Sequence, residues 1–531
     1  MKTNLYQVAS LPDRTAWSRI KTGITICPKL VYALVLLAFS PALKAVTSTY
    51  YVDFATGSDS NTSTQAQSQS TPWKHAPGMD GATSNANSYS VKSGDVFVLK
   101  GGSTWTTVST INDLWTIPAS NITIRGGQQL STPWGSGYPI LNGTGSTNTR
   151  GCIVSSGKSN VTIDGIKCYG ACNTPDGSGY GIAAFYGSGG WEIVNCYVDS
   201  CGANGITYSP SSGSSFLFHN STVINCGRVY LAFDAGVTFD NVQIYNNNLL
   251  GPGTWPAHNY HADGIMIGSA SNTDPSPLTN VQIYNNKFAG DWSQGATALI
   301  YLNNGSGSSG WTVGGGYHCK IYNNQMCMDS KGWLSPGFIS IFNGWRDVQI
   351  FNNTMNAVTT GGTPVSVGIA VQSCGTAVAL VAKNNIISGC TYGVSDTDAG
   401  VRAGSGLTLD NNLYQTNANG NYIQDSGGTK STLAACQAAG YESHGLTVSS
   451  AAALNFTALP NGTNGSGNWT ILSTSPAKST GLDLTSLGIF TSDITGSQRT
   501  PASWDIGASS YSSGVTSIIA PSNAAVNVSI Q

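Results

Sequence analysis

The chain has 531 residues, 65 of them Gly, with 9 % charged residues and a formal net charge of −2. Glu, a strong helix former, occurs only at Glu192 and Glu442, and no helical apolar period of useful length follows residue 45, which excludes a helical protein. A hydrophobic share of 40 % with 13 Trp excludes a disordered chain despite the abundance of Ser, Thr, Asn and Gly.

From the N-terminus, residues 1–45 read as a targeting segment. Lys2, Arg14, Arg19, Lys21 and Lys29 form a basic start, Val31 to Phe39 is a short apolar run, and small residues follow up to Ala45. The run is too short to span a bilayer comfortably, so removal is expected, with a retained anchor as the weaker alternative. Cleavage takes away six of the 23 Lys/Arg and one of the 25 Asp/Glu, leaving 17 against 24 and a net charge of −7. Nucleic acid and anionic membranes are therefore not expected as partners, and the mature chain is expected to be a secreted or cell-surface monomer.

Residues 46–118 form an opening cap module, carrying Thr49 to Asn61, Thr71-Pro-Trp-Lys-His75 and Ser93 to Gly102. Over residues 119–415 one phrase recurs: Asn241-Val-Gln-Ile-Tyr-Asn-Asn-Asn-Leu249, Asn280 to Phe288, Cys319 to Met326, Asp347 to Met355, Ala379 to Ile387 and Leu407 to Tyr414. The first Asn of each pair lies at 246, 285, 323, 352, 384 and 411, an irregular period that marks a solenoid with variable loops. Val-x-Ile-x-Asn alternates with period two, so each unit is a short strand, and the Asn pair turns the chain. A second phrase, such as Gly181-Ile-Ala-Ala-Phe185, Gly264-Ile-Met-Ile267 and Gly368-Ile-Ala-Val371, falls between these units. Each coil then holds at least two strands, equivalent strands stack as parallel sheets, and the Asn side chains form internal ladders. Parallel sheets are expected from about residue 120 to 415, with Ile244, Ile283, Ile321 and Ile350 in one interior row. The fold class is all-β, a single-stranded right-handed parallel β-helix with capping segments at both ends. Residues 416–512 hold the last coils and a closing cap, and 513–531 a flexible tail.

Twelve cysteines fit an exported protein. Cys319 with Cys327 and Cys374 with Cys390 are local candidates for disulfides, while Cys196 and Cys226, each after an Asn, are expected to stack as buried thiols. No Cys-x-x-Cys with a nearby His suggests a metal site.

The opening module resembles the start of secreted bacterial β-helix proteins of the pectate-lyase-like superfamily. Ser475-Pro-Ala-Lys-Ser-Thr-Gly481, Asp493 to Pro501 and Asp505-Ile-Gly-Ala508 resemble the closing segment often called choice-of-anchor Q. The resemblance covers roughly residues 49–511. It implies fold and export and leaves the chemistry open, because such proteins host lyases, hydrolases, epimerases and adhesive surfaces.

One segment concentrates chemistry: Gly251-Pro-Gly-Thr-Trp-Pro-Ala-His-Asn-Tyr-His-Ala-Asp-Gly-Ile265. His261 and Asp263 share a face if the strand alternation holds, and a His beside a carboxylate can act as a base near neutral pH. Trp255, His258 and Tyr260 offer a platform for a sugar ring on a loop expected to overhang a groove. The part Asp263-Gly264 also has a structural reading, since Asp164-Gly165 repeats it without His and Asn204 stands at the equivalent turn. The motif partly resembles the Asn-Thr-Asp-Gly segment of polygalacturonase-type hydrolases, without the Asp-Asp that follows there. Stacked coils bring Asp234, Arg228 and Tyr301 toward the same face, and Asp291, Trp292, Lys331 and Trp333 to equivalent corners, where these four, with Tyr301, are substrate-binding candidates.

The expected function is cleavage of a polysaccharide. In β-elimination from a uronate polymer, the favoured reading, His261 or Tyr260 is the base and Arg228 neutralises the carboxylate. No protein metal site is expected; a calcium ion held by Asp residues could replace Arg228 in this role. In hydrolysis, Asp263 pairs with Asp234 or Asp291. A glycan-binding or adhesive surface is the non-catalytic alternative.

Overall fold

The computed structural model describes residues 47–512 apart from 108–112, 145–150, 173–178, 188, 212, 214, 235–238, 252–262, 269–277, 293–296, 304–316, 330–336, 359–364 and 460–466. The repeated phrase becomes one wall of a solenoid. Strands Phe239–Tyr245, Leu278–Tyr284, Tyr317–Tyr322, Arg346–Phe351, Leu380–Lys383 and Gly406–Asp410 pair in parallel, each with the strand one coil on. Ile244, Ile283, Ile321 and Ile350 face one another in register and are all buried, as expected from their shared place in the phrase. Such rows bury apolar surface at ~25 cal/mol per Å².

The Gly-Ile phrases build a second parallel wall, here called the entry wall, including Tyr180–Phe185, Ile206–Ser209, Leu231–Asp234, Ile265–Gly268, Ala298–Asn303 and Gly337–Phe342. A third wall follows each Asn pair, with strands such as Asn248–Leu250, Lys287–Ala289 and Gln325–Asp329. Each coil thus carries three strands, forming a right-handed parallel β-helix. The third strand is often three residues long, too short to show a period of two. Parallel pairing also starts earlier than expected: Thr49–Val52 pairs with Val96–Leu99, which pairs with Ile122–Gly126.

The two residues of each Asn pair have different work. The first takes left-handed backbone angles, with φ of 51 to 56° at Asn246, Asn285, Asn323, Asn352, Asn384 and Asn411, a region Asn tolerates. The second points inward. Asn247, Asn286, Asn324, Asn353, Asn385 and Asn412 pass a hydrogen bond from Nδ2 to the next Oδ1 at 2.9 to 3.1 Å. Each Nδ2 also donates to a backbone carbonyl of the preceding coil, such as Ile244 O from Asn286 and Ile321 O from Asn353. The expected Asn ladder is therefore continuous through six coils.

Glu442 closes the ladder. It is 1 % exposed and accepts Asn412 Nδ2 at 2.7 Å, Asn412 N at 3.1 Å and the Tyr414 hydroxyl at 2.7 Å. Burial raises this carboxyl to about 7, against the pull of those donors. Asp396, fully buried at the same end, is also raised to about 7 by burial, with Asp398 and Asp425 adding to it.

On the outside of the Asn-phrase wall, His219, Tyr245, Tyr284 and Tyr322 stack with near-parallel rings 4.5 to 4.8 Å apart. Phe490 from the C-terminal segment ends the stack on Tyr322 at 4.8 Å. That segment is tied to the outward Asn of successive turns: Asn323, Asn352 and Asn384 donate to the carbonyls of Ser492, Asp505 and Leu482. Buried Arg499 donates to Asn323 Oδ1 at 2.9 Å and to the carbonyls of Asp505, Gly507 and Ala508.

All eleven cysteines within the described residues are buried free thiols. The expected pairs Cys319–Cys327 and Cys374–Cys390 are not disulfides: Cys319 lies on the Asn-phrase wall and Cys327 on the third, each in its own row. Burial raises the Cys196 thiol to about 12, leaving it neutral.

Two outcomes are expected in urea unfolding. Asn353→Ala leaves Asn324 N and one of the two N–H groups of Asn324 Nδ2 without an acceptor and takes a donor from the Ile321 carbonyl, and should cost about 4 kcal/mol, at ~1–3 kcal/mol per buried unsatisfied group. The second outcome concerns pH. A carboxyl raised in the fold is fully stabilising below its unfolded pKa, and this contribution is lost as pH rises toward the folded one. The urea midpoint should therefore fall from pH 4.5 to about 7 and level off above it, Glu442 contributing about 3 kcal/mol of the drop. Glu442→Gln should flatten that slope; an unchanged slope would assign it to other groups.

Candidate functional site

The entry wall presents two outward rows. Ala232, Met266, Tyr301 and Ser340 lie in one, and Phe185, Ser209, Asp234, Gly268, Asn303 and Phe342 follow the other. Interior positions alternate with these, so Ile265, Ile267, Ile300 and Leu302 belong to the core.

Asp234 ends its strand half-buried, and burial raises its carboxyl above the ordinary range. Its backbone carbonyl accepts the Ser209 hydroxyl at 3.0 Å. Gly268 stands directly beside it in register and Asn303 next to that, so within this row no side chain separates carboxyl from amide. A Cβ at Gly268 would come within 2.8 Å of the Asn303 carbonyl oxygen, so glycine is needed for close strand approach. Asn343 Nδ2 donates to Asn303 Oδ1 at 3.0 Å and orients that amide. Tyr301 packs edge-on to Phe342 at 5.4 Å, with Met266 and Ala298 beside them. Burial, with the Asp263 charge second, raises the Tyr301 phenol to about 12, which keeps it protonated near neutral pH.

Asp263 does not point outward as its alternation with His261 predicts. It is fully buried, and Oδ1 accepts the backbone amides of Thr297 and Ala298 at 2.7 and 2.9 Å in the next turn. Asn204, at the equivalent turn two coils earlier, accepts Val229 N in the same way at 3.2 Å. The reason is the turn: an acceptor there satisfies amides that face no strand. Arg228 sits half-buried in the turn entering the Asp234 strand, its amide bonded to the Ala203 carbonyl.

Asp291 is half-buried at the following corner. Trp292, expected among the substrate-binding candidates, is fully buried, donating from Nε1 to the Ala289 carbonyl at 3.0 Å and leaning on Tyr230 at 4.8 Å. It plugs the corner where the coil turns into the entry wall. Trp255, His258, Tyr260, His261, Lys331 and Trp333 lie outside the described residues. The structure thus brings Asp234 and Tyr301 to one face and sets Asp263 in the turn beside it. Asn303, Gly268 and Phe342 were not anticipated. They follow the Gly-Ile phrase at the same offset as Asp234, and reading that offset in each coil would have found them.

Among the described residues no group of three or more His, Cys, Asp and Glu side chains could hold a metal ion. None of their helices is long and apolar enough to cross a membrane.

No protein-family model and no curated protein matches the chain. Solved structures do. Pectate lyase Pel9A is 14 % identical with a TM-score of 0.44, over 87 % of this chain and 96 % of its own. The GH136 lacto-N-biosidase from Eubacterium ramulus is 10 % identical with a TM-score of 0.37, over 75 % and 67 %. Alginate lyase from Paenibacillus sp. str. FPU-7 is 14 % identical with a TM-score of 0.34, over 67 % and 93 %. The likeness is one of parallel-strand winding, and the activities in those names are those of the proteins that bear them.

Asp263→Ala is expected to lower stability by about 2–3 kcal/mol, because two turn amides lose their acceptor. A chemical-denaturation midpoint equal to that of the unaltered chain would return Asp263 to a purely chemical role.

Proposed function

We propose that this chain is an exported carbohydrate-active enzyme that cleaves a polysaccharide on the outward face of the entry wall. The carrying observation is Asp234, a carboxyl held where burial raises its pKa, beside Gly268, which brings no side chain into the row, and an oriented amide at Asn303. A surface serving only adhesion gains nothing from such a group, whereas proton transfer does. Beside it the buried Tyr301–Phe342 pair gives this part of the wall a packed apolar backing.

Between the two cleavage chemistries, β-elimination is favoured. Hydrolysis needs a second carboxylate across the bond, and Asp263 commits Oδ1 to two backbone amides. Elimination needs one base, for which His261 is the candidate, a proton donor such as Asp234, and a cation against the uronate. Arg228 fits the last role, with a calcium ion as its alternative. Asp234 paired with Asp291 keeps hydrolysis as the second reading.

Mature protein incubated with a panel of polysaccharides should release oligosaccharides. Asp234→Asn should lower kcat by about 10²–10⁴-fold with an unchanged melting curve. Ultraviolet-absorbing unsaturated products would establish elimination, and reducing ends without them hydrolysis. Full activity of Asp234→Asn would remove the carrying observation.

A further inference from the structure

Tyr186 is the most exposed large hydrophobic side chain among the described residues, at 72 %, and its φ is +58°. A bulky aromatic in the left-handed region is strained, and such strain persists where function holds it. The corner it occupies recurs in other coils. Tyr186 N donates to the Ser209 carbonyl just as Gly157 N donates to that of Phe185 and Asn343 N to that of Gln372. Gly157, Asn343 and Ser373, with φ of 68, 58 and 59°, hold this corner elsewhere. These are small residues, two of which are common in that conformation. The fold therefore asks for glycine or asparagine at residue 186 and has no use for a ring.

The ring has company. Phe185 lies 6.2 Å from Tyr186 and packs edge-on to Tyr180 at 5.9 Å. Phe185 stands in the same outward row as Asp234, paired with Ser209, whose hydroxyl bonds the Asp234 carbonyl. Two strand steps, about 10 Å along the solenoid axis, separate the aromatic group from the carboxyl, and small Ser209 keeps the way between them low.

We propose that Tyr186, backed by Phe185 and Tyr180, is a distal sugar-stacking subsite for a polysaccharide chain lying along the axis of the entry wall. The enzyme then grips the interior of a polymer and cuts at Asp234 rather than trimming ends. This deepens the proposed function and rests on its placing of the reacting bond at Asp234.

The test uses mature full-length protein in native gels cast with polygalacturonate, alginate or xylan, alongside cleavage of the same polymers. Tyr186→Gly removes the ring and relieves the backbone, so its melting midpoint should equal or exceed that of the parent while retardation weakens roughly tenfold, as for loss of one binding anchor. Tyr186→Phe should keep retardation. On long polymers Tyr186→Gly should raise KM with little change in kcat, and early products should be long oligosaccharides. Retardation equal to the parent's would overturn the subsite and leave Asp234 untouched. Weakened retardation in a chain that cleaves none of the polymers would support the subsite and sink the enzymatic reading. A parent protein retarded by none of the three would overturn both.

Discussion

Everything in this molecule is hung on the amide ladder inside the turn. A buried Asn carries two donors and two acceptor sites, and any left open is costly. Here Asn286 closes its own account in full: Oδ1 takes the amide and side chain of Asn247, and Nδ2 gives to Ile244 O and Asn324 Oδ1. Every rung needs the coil before it and the coil after it, so no coil is satisfied alone. Register follows, because a slip of one residue would turn the Asn outward and its apolar neighbours with it.

A ladder of aligned amides also has ends, and they differ. At the upper end Asn247 Oδ1 takes the Ser221 amide, so a hydroxyl residue with a free backbone donor suffices. At the lower end Asn412 offers two N–H groups and no further Asn follows. A group that only accepts is wanted, and one of the two Glu residues of the chain is placed there. The cost of burying its charge is set against three hydrogen bonds, which makes the lower end sensitive to pH. The outward Asn of each pair serves a different purpose. Its left-handed backbone turns the chain, and in the later coils its side chain holds the C-terminal segment at the spacing of the coils themselves.

How much of this could be read beforehand depended on whether a feature repeats. The Val-x-Ile-x-Asn-Asn phrase announced strand, turn and ladder, and Ile244, Ile283, Ile321 and Ile350 stack as their shared position required. The third strand escaped, since Asn248–Leu250 is too short for periodicity. At the face where chemistry is proposed, repetition misled as well as helped. Asp263 looked outward because i and i+2 share a face within a strand, yet it lies in the turn before Ile265, where that rule does not hold. Trp292 was drawn toward substrate by its corner position at the end of the motif's coil, yet it packs on Tyr230 in the interior. Asp234 and Tyr301 fall on entry-wall strands two coils apart, as coil stacking implied.

The contrast between Asp263 and Asp234 shows where function can reside in such a fold. Both are carboxylates at an end of an entry-wall strand, one before it and one after. Asp263 meets amides that no strand satisfies, and its geometry is fixed by the needs of the next coil. Asp234 meets Gly268, which presents backbone and no side chain, so among the described residues no neighbour in the row uses its carboxyl while burial still raises its pKa. Tyr186 obeys the same logic on the same face: its corner is satisfied by glycine, asparagine or serine in other coils, and the ring is surplus to the solenoid. In a structure whose interior is dictated coil by coil, residues that the repeat does not require, and partly resists, are the ones left free to be selected for a substrate.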